Sequence, residues 1–315
     1  MTSIRRAVID VGTNSVKLLV VEVEGPQVRP ILEESTQTRL GQGFYPKRIL
    51  QTGPVAETSK AIANFAIKAN QLGAGQPRII ATSAVREAQN QNELKAAVTQ
   101  ACGLLIRVIS GQDEANYVFQ GVTTEPRFAM EPLLLLDVGG GSAEFIVGHH
   151  AKACFAHSFP LGTVRLLELL KPSDCPGLVQ LSDCRAWLRQ FFQQEISPKL
   201  GPALEALPEA ERAGLQLVGT GGTASILACM EAKLEAFDRE KLEATQLTRE
   251  RLHWQVEHLW ELPISDRRKV VGLPANRADV ILTGSAIYEA LMDCYDFQRL
   301  RVSTRGLRFA VALED

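Results

Sequence analysis

The chain has few cysteines and histidines, and none of them follows a spacing typical of a metal site or a disulfide framework. Its six cysteines are scattered over 315 residues without a C-x-x-C pair, which argues against zinc ribbons and disulfide-rich secreted folds. We therefore expect free thiols and a reduced, cytoplasmic location. Among the five histidines, His149 and His150 follow a predicted strand, and we expect both to face solvent.

Long apolar runs and an excess of one charge are also missing. No segment approaches the roughly 20 apolar residues that span a bilayer, and the short apolar run after the N-terminal arginine pair is too short for a signal-peptide core. Lys and Arg number 34 against 36 Asp and Glu, a net charge of −2, so no polycation is available to neutralise a nucleic acid duplex. We expect neither a membrane nor a nucleic acid partner, and any anion site has to be local.

Two segments of the chain share one plan: an apolar strand ending in Asp, a turn of glycine and small polar residues, and a second apolar strand. The polar positions of the two segments keep a constant offset of 127 residues, in the pairs Asp10 and Asp137, Gly12 and Gly139, Ser15 and Ser142. This offset predicts two duplicated domains. The alternative is a pair of unrelated hairpins.

Strands and helices alternate along the remaining chain, which is typical of α/β domains. Hydrophobic spacing predicts a helix over 54–73 and a strand at 78–84. Further on we expect helices at 182–200 and 248–262, and a surface connection at 200–214, where two prolines and two glycines fall.

The length of the chain suits about two domains, and 45% hydrophobic with 22% charged residues is an ordinary globular composition. A candidate boundary lies near Thr123–Pro126. We place the first domain at residues 1–125 and the second at 126–304, with residues 305–315 as a candidate completion of the first.

The two glycine turns have a chemical use, because successive backbone N–H groups in such a turn converge on an anion and a hydroxyl adds a donor. The candidate phosphate-binding residues are Gly12, Thr13, Asn14, Ser15, Gly139, Gly140, Gly141 and Ser142. An Asp beside each turn repels phosphate, so its presence implies a divalent cation, Mg²⁺ or alternatively Mn²⁺. The candidate ligands are Asp10, Asp137 and Glu144. Turn glycines without a ligand are the alternative.

A third glycine cluster spans residues 219–224 and formally matches the dinucleotide-binding pattern G-x-G-x-x-A after a strand. A dinucleotide-binding domain needs an acid about twenty residues further on, at the end of a second strand. In this chain that position falls in residues 231–243, which look like a continuous charged helix. Dinucleotide binding is therefore disfavoured. A contact of Gly221 and Gly222 with a nucleotide or a distal phosphate remains open, against glycines that merely pack at a helix start.

Four further residues have a functional and a structural interpretation. Asp113 and Glu114 fall at a predicted helix start, where acids complement the helix dipole or, alternatively, one of them is a general base for water. Arg86 and Arg277 are either surface arginines or phosphate-binding forks.

Eight segments, taken together and in this order, resemble the exopolyphosphatase and guanosine-pentaphosphate phosphohydrolase (Ppx/GppA) family. They are IDVGTNSVKLLV, TRLGQG, ATSAVREAQN, ISGQDEANYVFQG, LLLLDVGGGSAEFIVG, VGTGGTASIL, LPANRADVILTG and STRGLRFAVAL, between Ile9 and Leu313. The resemblance is to the short two-domain members. It implies an actin-like, ribonuclease-H-like fold of two duplicated α/β domains with an interdomain cleft.

The resemblance also implies roles for the candidate residues. Glu114 would activate water, Asp137 and Glu144 would hold Mg²⁺, and Asp10 would support the metal or its waters. Both glycine turns would cradle the terminal phosphate, with the catalytic Arg86 close to it. Two departures, Asp at position 113 and Lys at position 17, keep the charge usual in the family.

The function that follows is a Mg²⁺-dependent exopolyphosphatase acting on inorganic polyphosphate, with Lys17, Arg39 and Arg277 as candidates for distal phosphates or a nucleotide. The alternatives are hydrolysis of guanosine pentaphosphate, a non-catalytic alarmone or nucleotide sensor, and a kinase of the same fold. A homodimer is among the candidate assemblies. Longer relatives carry extra helical domains, so the preferred polyphosphate length stays open.

Overall fold

The computed structural model describes residues 3–314. The chain packs into two compact units, one formed by residues up to Glu125 together with the segment from Arg305 onward, the other by Pro126–Thr304. Each unit has its own sheet and its own hydrophobic core.

The first unit is built on a five-stranded mixed sheet. Its strands are β1 (Ile4–Val11), β2 (Ser15–Glu24), β3 (Gln27–Gln37), β4 (Arg78–Ala81) and β5 (Ile106–Val108), in the order β3-β2-β1-β4-β5. The first three pair antiparallel, and β4 and β5 continue parallel to β1. Because side chains alternate along a strand, Ile9 and Val11 join the core below one face while Val8 is buried on the other.

Helices connect these strands. They are α1 (Thr52–Gln71), α2 (Ser83–Glu87), α3 (Gln91–Cys102) and α4 (Gly111–Thr123). Helix α1 buries Val55, Ile62 and Phe65 against the sheet, which is the apolar face read from its periodicity. The helix expected at 54–73 is therefore confirmed. The strand expected at 78–84 is present but shorter, because β4 ends at Ala81 and α2 begins at Ser83.

The second unit is built on a six-stranded mixed sheet. Its strands are β6 (Leu133–Val138), β7 (Ala143–His149), β8 (Lys152–Phe159), β9 (Gln216–Thr220), β10 (Gln246–Thr248) and β11 (Arg299–Val302), in the order β10-β11-β9-β6-β7-β8. Strands β6, β7 and β8 pair antiparallel, and β9 and β11 continue parallel to β6. Apart from the edge strand β10, this is the order found in the first unit.

The helices of the second unit enclose a core centred on the fully buried Trp260, Tyr288 and Phe145. They are α5 (Pro126–Ala129), α6 (Thr163–Leu170), α7 (Gly177–Phe191), α8 (Ser197–Glu205), α9 (Glu209–Ala213), α10 (Gly221–Glu231), α11 (Arg239–Ala244), α12 (Arg249–Glu261), α13 (Ile264–Arg267) and α14 (Ile281–Cys294). A π-helical turn, Phe192–Ile196, joins α7 to α8, and a 3₁₀ turn, Ala275–Arg277, precedes α14.

Two expectations about this unit need correction. The stretch 200–214 is mainly helical, not a plain surface connection, because Leu200 and Leu207 anchor it in the core. The segment 231–243 is also not one helix: α10 ends at Glu231 and α11 begins at Arg239. The helices expected at 182–200 and 248–262 are confirmed.

The segment from Arg305 onward completes the first unit. Its helix α15 (Leu307–Val311) packs on α4, where a Cβ at Gly121 would lie 2.0 Å from the carbonyl oxygen of Gly306. The Arg6 guanidinium donates to the carbonyl of Ala312 (2.9 Å). Within residues 3–314, no helix combines the length and apolarity that crossing a bilayer requires.

Candidate active site

Glu114 lies in the first turn of α4 and is 7% exposed. Arg86, in the short helix after β4, donates through Nη1 to Glu114 Oε2 (2.8 Å) and to the carbonyl of Ile109 (3.1 Å). The structure thus brings together the two residues singled out as catalytic. Because a guanidinium N–H bonded to a carboxylate is a charge-assisted hydrogen bond, it fixes the orientation of the Glu114 side chain.

The neighbouring Asp113 has a structural role. Ser110 caps α4: its Oγ accepts from the Asp113 N–H (3.1 Å) and donates to Asp113 Oδ2 (2.7 Å). An acid in this position also favours the positive end of the helix dipole. The structural interpretation of the acidic pair therefore applies to Asp113, while Glu114 is engaged by Arg86 from another element.

The first glycine turn joins β1 to β2, and its carbonyls are held from one side. The Gly12 N–H closes the turn on the carbonyl of Ser15 (3.0 Å), so it is engaged within the turn. The N–H groups of Thr38 and Arg39 donate to the Asn14 carbonyl, and that of Gly41 to the Thr13 carbonyl, at 3.2, 3.1 and 2.7 Å. A Cβ at Gly41 would lie 2.2 Å from Thr13 Cγ2, which explains a glycine in this bracing segment.

The hydrogen bonds that hold the turn carbonyls also determine which N–H group of the turn faces away from the bracing segment. In a trans peptide the C=O of one residue and the N–H of the next point in opposite directions. Since the Thr13 carbonyl points to the brace, the Asn14 N–H points away from it. The Asn14 N–H is thus a candidate backbone donor for an anion, whereas the Gly12 N–H is already engaged within the turn.

Two buried polar atoms at this turn have no hydrogen-bond partner among residues 3–314: Asp10 Oδ1 and Asn14 Nδ2. The Asn14 amide is oriented by Gln37, whose Nε2 donates to Asn14 Oδ1 (3.1 Å). Leaving such a buried atom unsatisfied costs about 1–3 kcal/mol. A buried acceptor and a buried donor that both lack a hydrogen-bond partner beside a glycine turn are typical of a ligand site.

Asp10 stands opposite Lys17 in the β1–β2 ladder, and directly opposed residues share one face of a sheet. Burial raises the pKa of Asp10, while the charges of Lys17 and of Arg308 lower it, and the net direction is upward. Arg308 comes from α15 and also donates to the Leu18 carbonyl (3.0 Å). The sequence motifs gave no sign of Arg308 at this place.

The second glycine turn joins β6 to β7 and is built in the same way. The Gly139 N–H closes the turn on the Ser142 carbonyl (2.9 Å). The start of α6 braces it: the Thr163 N–H donates to the Gly139 carbonyl and the Val164 N–H to the Gly140 carbonyl, both at 2.9 Å. By the same peptide geometry, the N–H groups of Gly140 and Gly141 point away from the brace.

The brace also carries a positive charge. Arg165 donates through Nε to the Gly141 carbonyl (2.7 Å). A Cβ at Gly162 would lie 2.5 Å from the Gly140 carbonyl carbon and oxygen, so this approach needs glycine.

Asp137 and Glu144 are directly opposite each other in the β6–β7 ladder, so their side chains share a face. Glu144 is 1% exposed and accepts at Oε1 from Ser158 Oγ (2.7 Å). Asp137 is half-buried, and a Cβ at Gly221, where φ is +77°, would lie 2.1 Å from Asp137 Oδ1. The Asp137 carboxylate therefore lies against the N-terminus of α10, whose dipole favours a negative charge.

Tyr288 on α14 supports the strands beneath these acids. Its hydroxyl contacts the carbonyls of Leu136 (2.8 Å) and Thr220 (3.3 Å). Burial and, secondarily, the charge of Asp137 raise the pKa of Tyr288, so it stays a neutral donor. The apolar pattern of α14 gave no sign of this role.

The remaining candidates occupy defined places. Gly222 lies in the first turn of α10 with open space around a hypothetical Cβ. Arg277 ends the 3₁₀ turn before α14, half-buried, and its N–H donates to the Pro274 carbonyl (2.8 Å). Arg39 braces the first turn with a left-handed φ of +49°. Their contacts to a substrate stay predictions.

Comparison with known proteins defines the class. A family model described as the Ppx/GppA phosphatase family matches residues 19–315, so the protein is a phosphatase and hence a hydrolase. The chain belongs to the Ppx/GppA phosphatase family, as its motifs indicated.

Individual relatives extend this result. Exopolyphosphatase 2 of Mycobacterium tuberculosis is 30% identical over 301 residues, which cover 92% of this chain and 91% of that protein. Exopolyphosphatase 1 of the same organism is 28% identical over 98% of this chain and 87% of the relative.

Solved structures agree on the architecture. The Aquifex aeolicus member of the Ppx/GppA family covers 98% of this chain and 96% of its own, with a TM-score of 0.78 and 26% identity. An exopolyphosphatase from Cytophaga hutchinsonii covers 98% and 96%, with a TM-score of 0.84 and 24% identity. The expected fold class of duplicated, actin-like α/β domains is confirmed.

Proposed function

We propose that this protein is a Mg²⁺-dependent exopolyphosphatase that removes the terminal phosphate of inorganic polyphosphate. One observation carries the proposal: two carboxylates, Asp137 and Glu144, stand opposite each other beside a glycine turn. Like charges in this position destabilise a sheet, and a bound cation offsets that repulsion. The mycobacterial relatives, which are named exopolyphosphatases, support polyphosphate as the substrate.

The donor atoms suit the proposed ion. Asp137 and Glu144 offer carboxylate oxygens, which are the ligands that Mg²⁺ and Mn²⁺ take. Asp10 has a supporting role, because Lys17 stands opposite it and offsets its charge. When bound, the cation neutralises charge on the phosphoanhydride oxygens.

Glu114 acts as the base for the attacking water. Arg86 orients the Glu114 carboxylate through Oε2. We assign this carboxylate to take the proton while the water oxygen bonds to the terminal phosphorus and the bridging P–O bond breaks. The shortened polyphosphate leaves on the bridging oxygen. Phosphoryl transfer passes through a loose transition state in which positioning matters more than base strength, so a carboxylate oriented by an arginine suits this task.

Phosphate oxygens are bound by the turn groups that face away from the braces. In the first unit these are the Asn14 N–H and Nδ2, and in the second the N–H groups of Gly140 and Gly141 together with the Ser142 hydroxyl. Lys17, Arg39 and Arg277 serve more distant phosphates. Donors fixed before the reaction stabilise the developing charge without reorganisation.

Guanosine pentaphosphate is the second candidate substrate, and one observation favours it. Gly222 opens the first turn of α10, next to Gly221 and Asp137, and a Cβ there would meet nothing within 4 Å. This space at the helix start suits a ribose or base attached to the phosphates.

The two candidates are separated by phosphate release from polyphosphate, guanosine pentaphosphate and ATP, measured side by side. We expect kcat/KM for polyphosphate to be highest by about tenfold or more, a difference of about 1.4 kcal/mol in transition-state binding. A preference for guanosine pentaphosphate that Gly222→Val abolishes, and the matched Gly201→Val in α8 does not, would establish the second candidate. Release from none of the three would leave a sensor.

A further inference from the structure

A cluster of metal-ligating side chains lies away from the residues assigned to hydrolysis. His149 ends β7, His150 follows in the hairpin turn, and Glu211 lies in α9. His150 and Ala151 adopt left-handed φ angles of +47° and +55°, as a two-residue type I′ hairpin requires. One potential ligand atom from each of His149, His150 and Glu211 lies within 4.8 Å of the other two.

The expectation that both histidines face solvent is wrong for His149. Its side chain is 31% exposed and Nδ1 lies 3.1 Å from Glu211 Oε1. His150 is exposed, as expected, and its ring centroid lies 5.1 Å from that of His149. A strand residue and a residue of a separate helix thus meet at the hairpin tip.

The contact between His149 and Glu211 does not have the geometry of a hydrogen bond. His149 Nδ1 and Glu211 Oε2 are both buried atoms without a hydrogen-bond partner among residues 3–314. Nitrogen and oxygen ligands of one tetrahedral Zn²⁺, each about 2.0–2.1 Å from the ion, are about 3.3 Å apart. The observed 3.1 Å is close to that separation, and an ion there would satisfy the Nδ1 lone pair and the carboxylate.

We propose that His149, His150 and Glu211 form a Zn²⁺ site that fastens the β7–β8 hairpin to α9. Two imidazoles and one carboxylate are a donor set for zinc, with water as a fourth ligand, whereas Mg²⁺ takes oxygen ligands. Glu144 and His149 are five residues apart on β7, or roughly 17 Å of strand. The ion therefore has a structural role in the second unit and is separate from the proposed magnesium site.

The test uses the full chain without an affinity tag, with excess Mg²⁺ present to fill the carboxylate site. We expect the chain to bind one Co²⁺ with the intense visible bands of tetrahedral coordination, and Zn²⁺ to displace this Co²⁺. The unfolding temperature should rise with the Zn²⁺ concentration. His149→Ala and Glu211→Gln should lose the bands and the shift in unfolding temperature while polyphosphate hydrolysis stays unchanged.

The matched control is His253→Ala, because His253 forms a comparable surface contact with Asp293 (3.0 Å) and belongs to no group of three potential ligands among residues 3–314. This variant should bind Co²⁺ and Zn²⁺ like the parent. If the parent takes up no Co²⁺, or if His149→Ala takes up as much, the cluster is an ion pair only and the proposal is wrong.

Discussion

The two units place different charges on the same scaffold. Asp10 and Asp137 end equivalent strands, and the residues opposite them, Lys17 and Glu144, are also separated by 127 residues. In the first unit the acid faces a cation of the protein, whereas in the second it faces another acid. The two units thus share one turn geometry, and one change of charge sign separates a pair of opposite charges from a pair of like charges, for which we propose an added cation.

The units also brace their turns differently. In the first, a loop with a left-handed Arg39 and a close-packed Gly41 holds the turn carbonyls, and in the second the start of α6 does so. In both units the N–H groups in the middle of the turn point away from the bracing element. The orientation of these N–H groups is thus retained although the bracing elements share no sequence motif.

The largest expected effect is on the proposed base, Glu114, which lies in the first unit. Glu114→Gln keeps the shape and the contact with Arg86 but cannot take a proton, and loss of a general base lowers kcat by about 10²–10⁴-fold. The matched variant Asp113→Asn, which alters the helix cap instead, should stay within a few-fold of the parent. Near-parental turnover of Glu114→Gln in a steady-state assay would remove Glu114 from the mechanism.

The next effect tests the acidic pair directly. Asp137→Asn and Glu144→Gln each remove one of two neighbouring charges, so the Mg²⁺ concentration for half-maximal activity should rise by about tenfold or more, because affinity follows ligand charge. Asp10→Asn should shift it less. Equal Mg²⁺ titration curves for all three variants would refute the division of roles between the units.

A charge reversal in the first unit tests whether the residue opposite the acid distinguishes the two units. Lys17→Glu gives Asp10 the acidic neighbour that Asp137 has and removes a cation proposed to bind a distal phosphate, so it should raise KM for polyphosphate by about tenfold. Lys17→Arg keeps the charge and should behave like the parent. An unchanged KM in Lys17→Glu would show that the cation does not serve the substrate.

The smallest effect concerns stability and pH. Burial raises the folded-state pKa of Asp10, so its favourable contribution is fully present below the unfolded pKa and is lost as pH rises through the folded one. Because asparagine does not titrate, the Asp10→Asn variant does not lose stability in this way as pH rises. The free energy of unfolding of Asp10→Asn relative to the parent, from urea titrations, should therefore increase from about pH 4 towards neutrality. A difference that stays constant with pH would show that burial does not raise the pKa of Asp10.

The sequence predicted the scaffold well because its signals are local. The offset between Asp10 and Asp137 and the periodicity of α1 depend on neighbouring residues alone. Contacts between distant segments were missed: Arg308 beside Asp10, Tyr288 beneath Asp137, and the pairing of Arg86 with Glu114. These depend on tertiary packing, which no spacing rule records. The contrast between Lys17 in the first unit and Glu144 in the second could have been found in the sequence, because these two residues are also 127 positions apart.

The return of the chain at Arg305 has a consequence for biosynthesis. The second unit is one continuous stretch, so all its strands have been synthesised before the segment that completes the first unit is made. Until then α4 lacks α15, and Arg6 and Arg78 lack the carbonyls of Ala312 and Val311, to which they donate at 2.9 Å. The first unit therefore cannot complete its core contacts until residues 305–314 have been made, after the whole of the second unit has been synthesised.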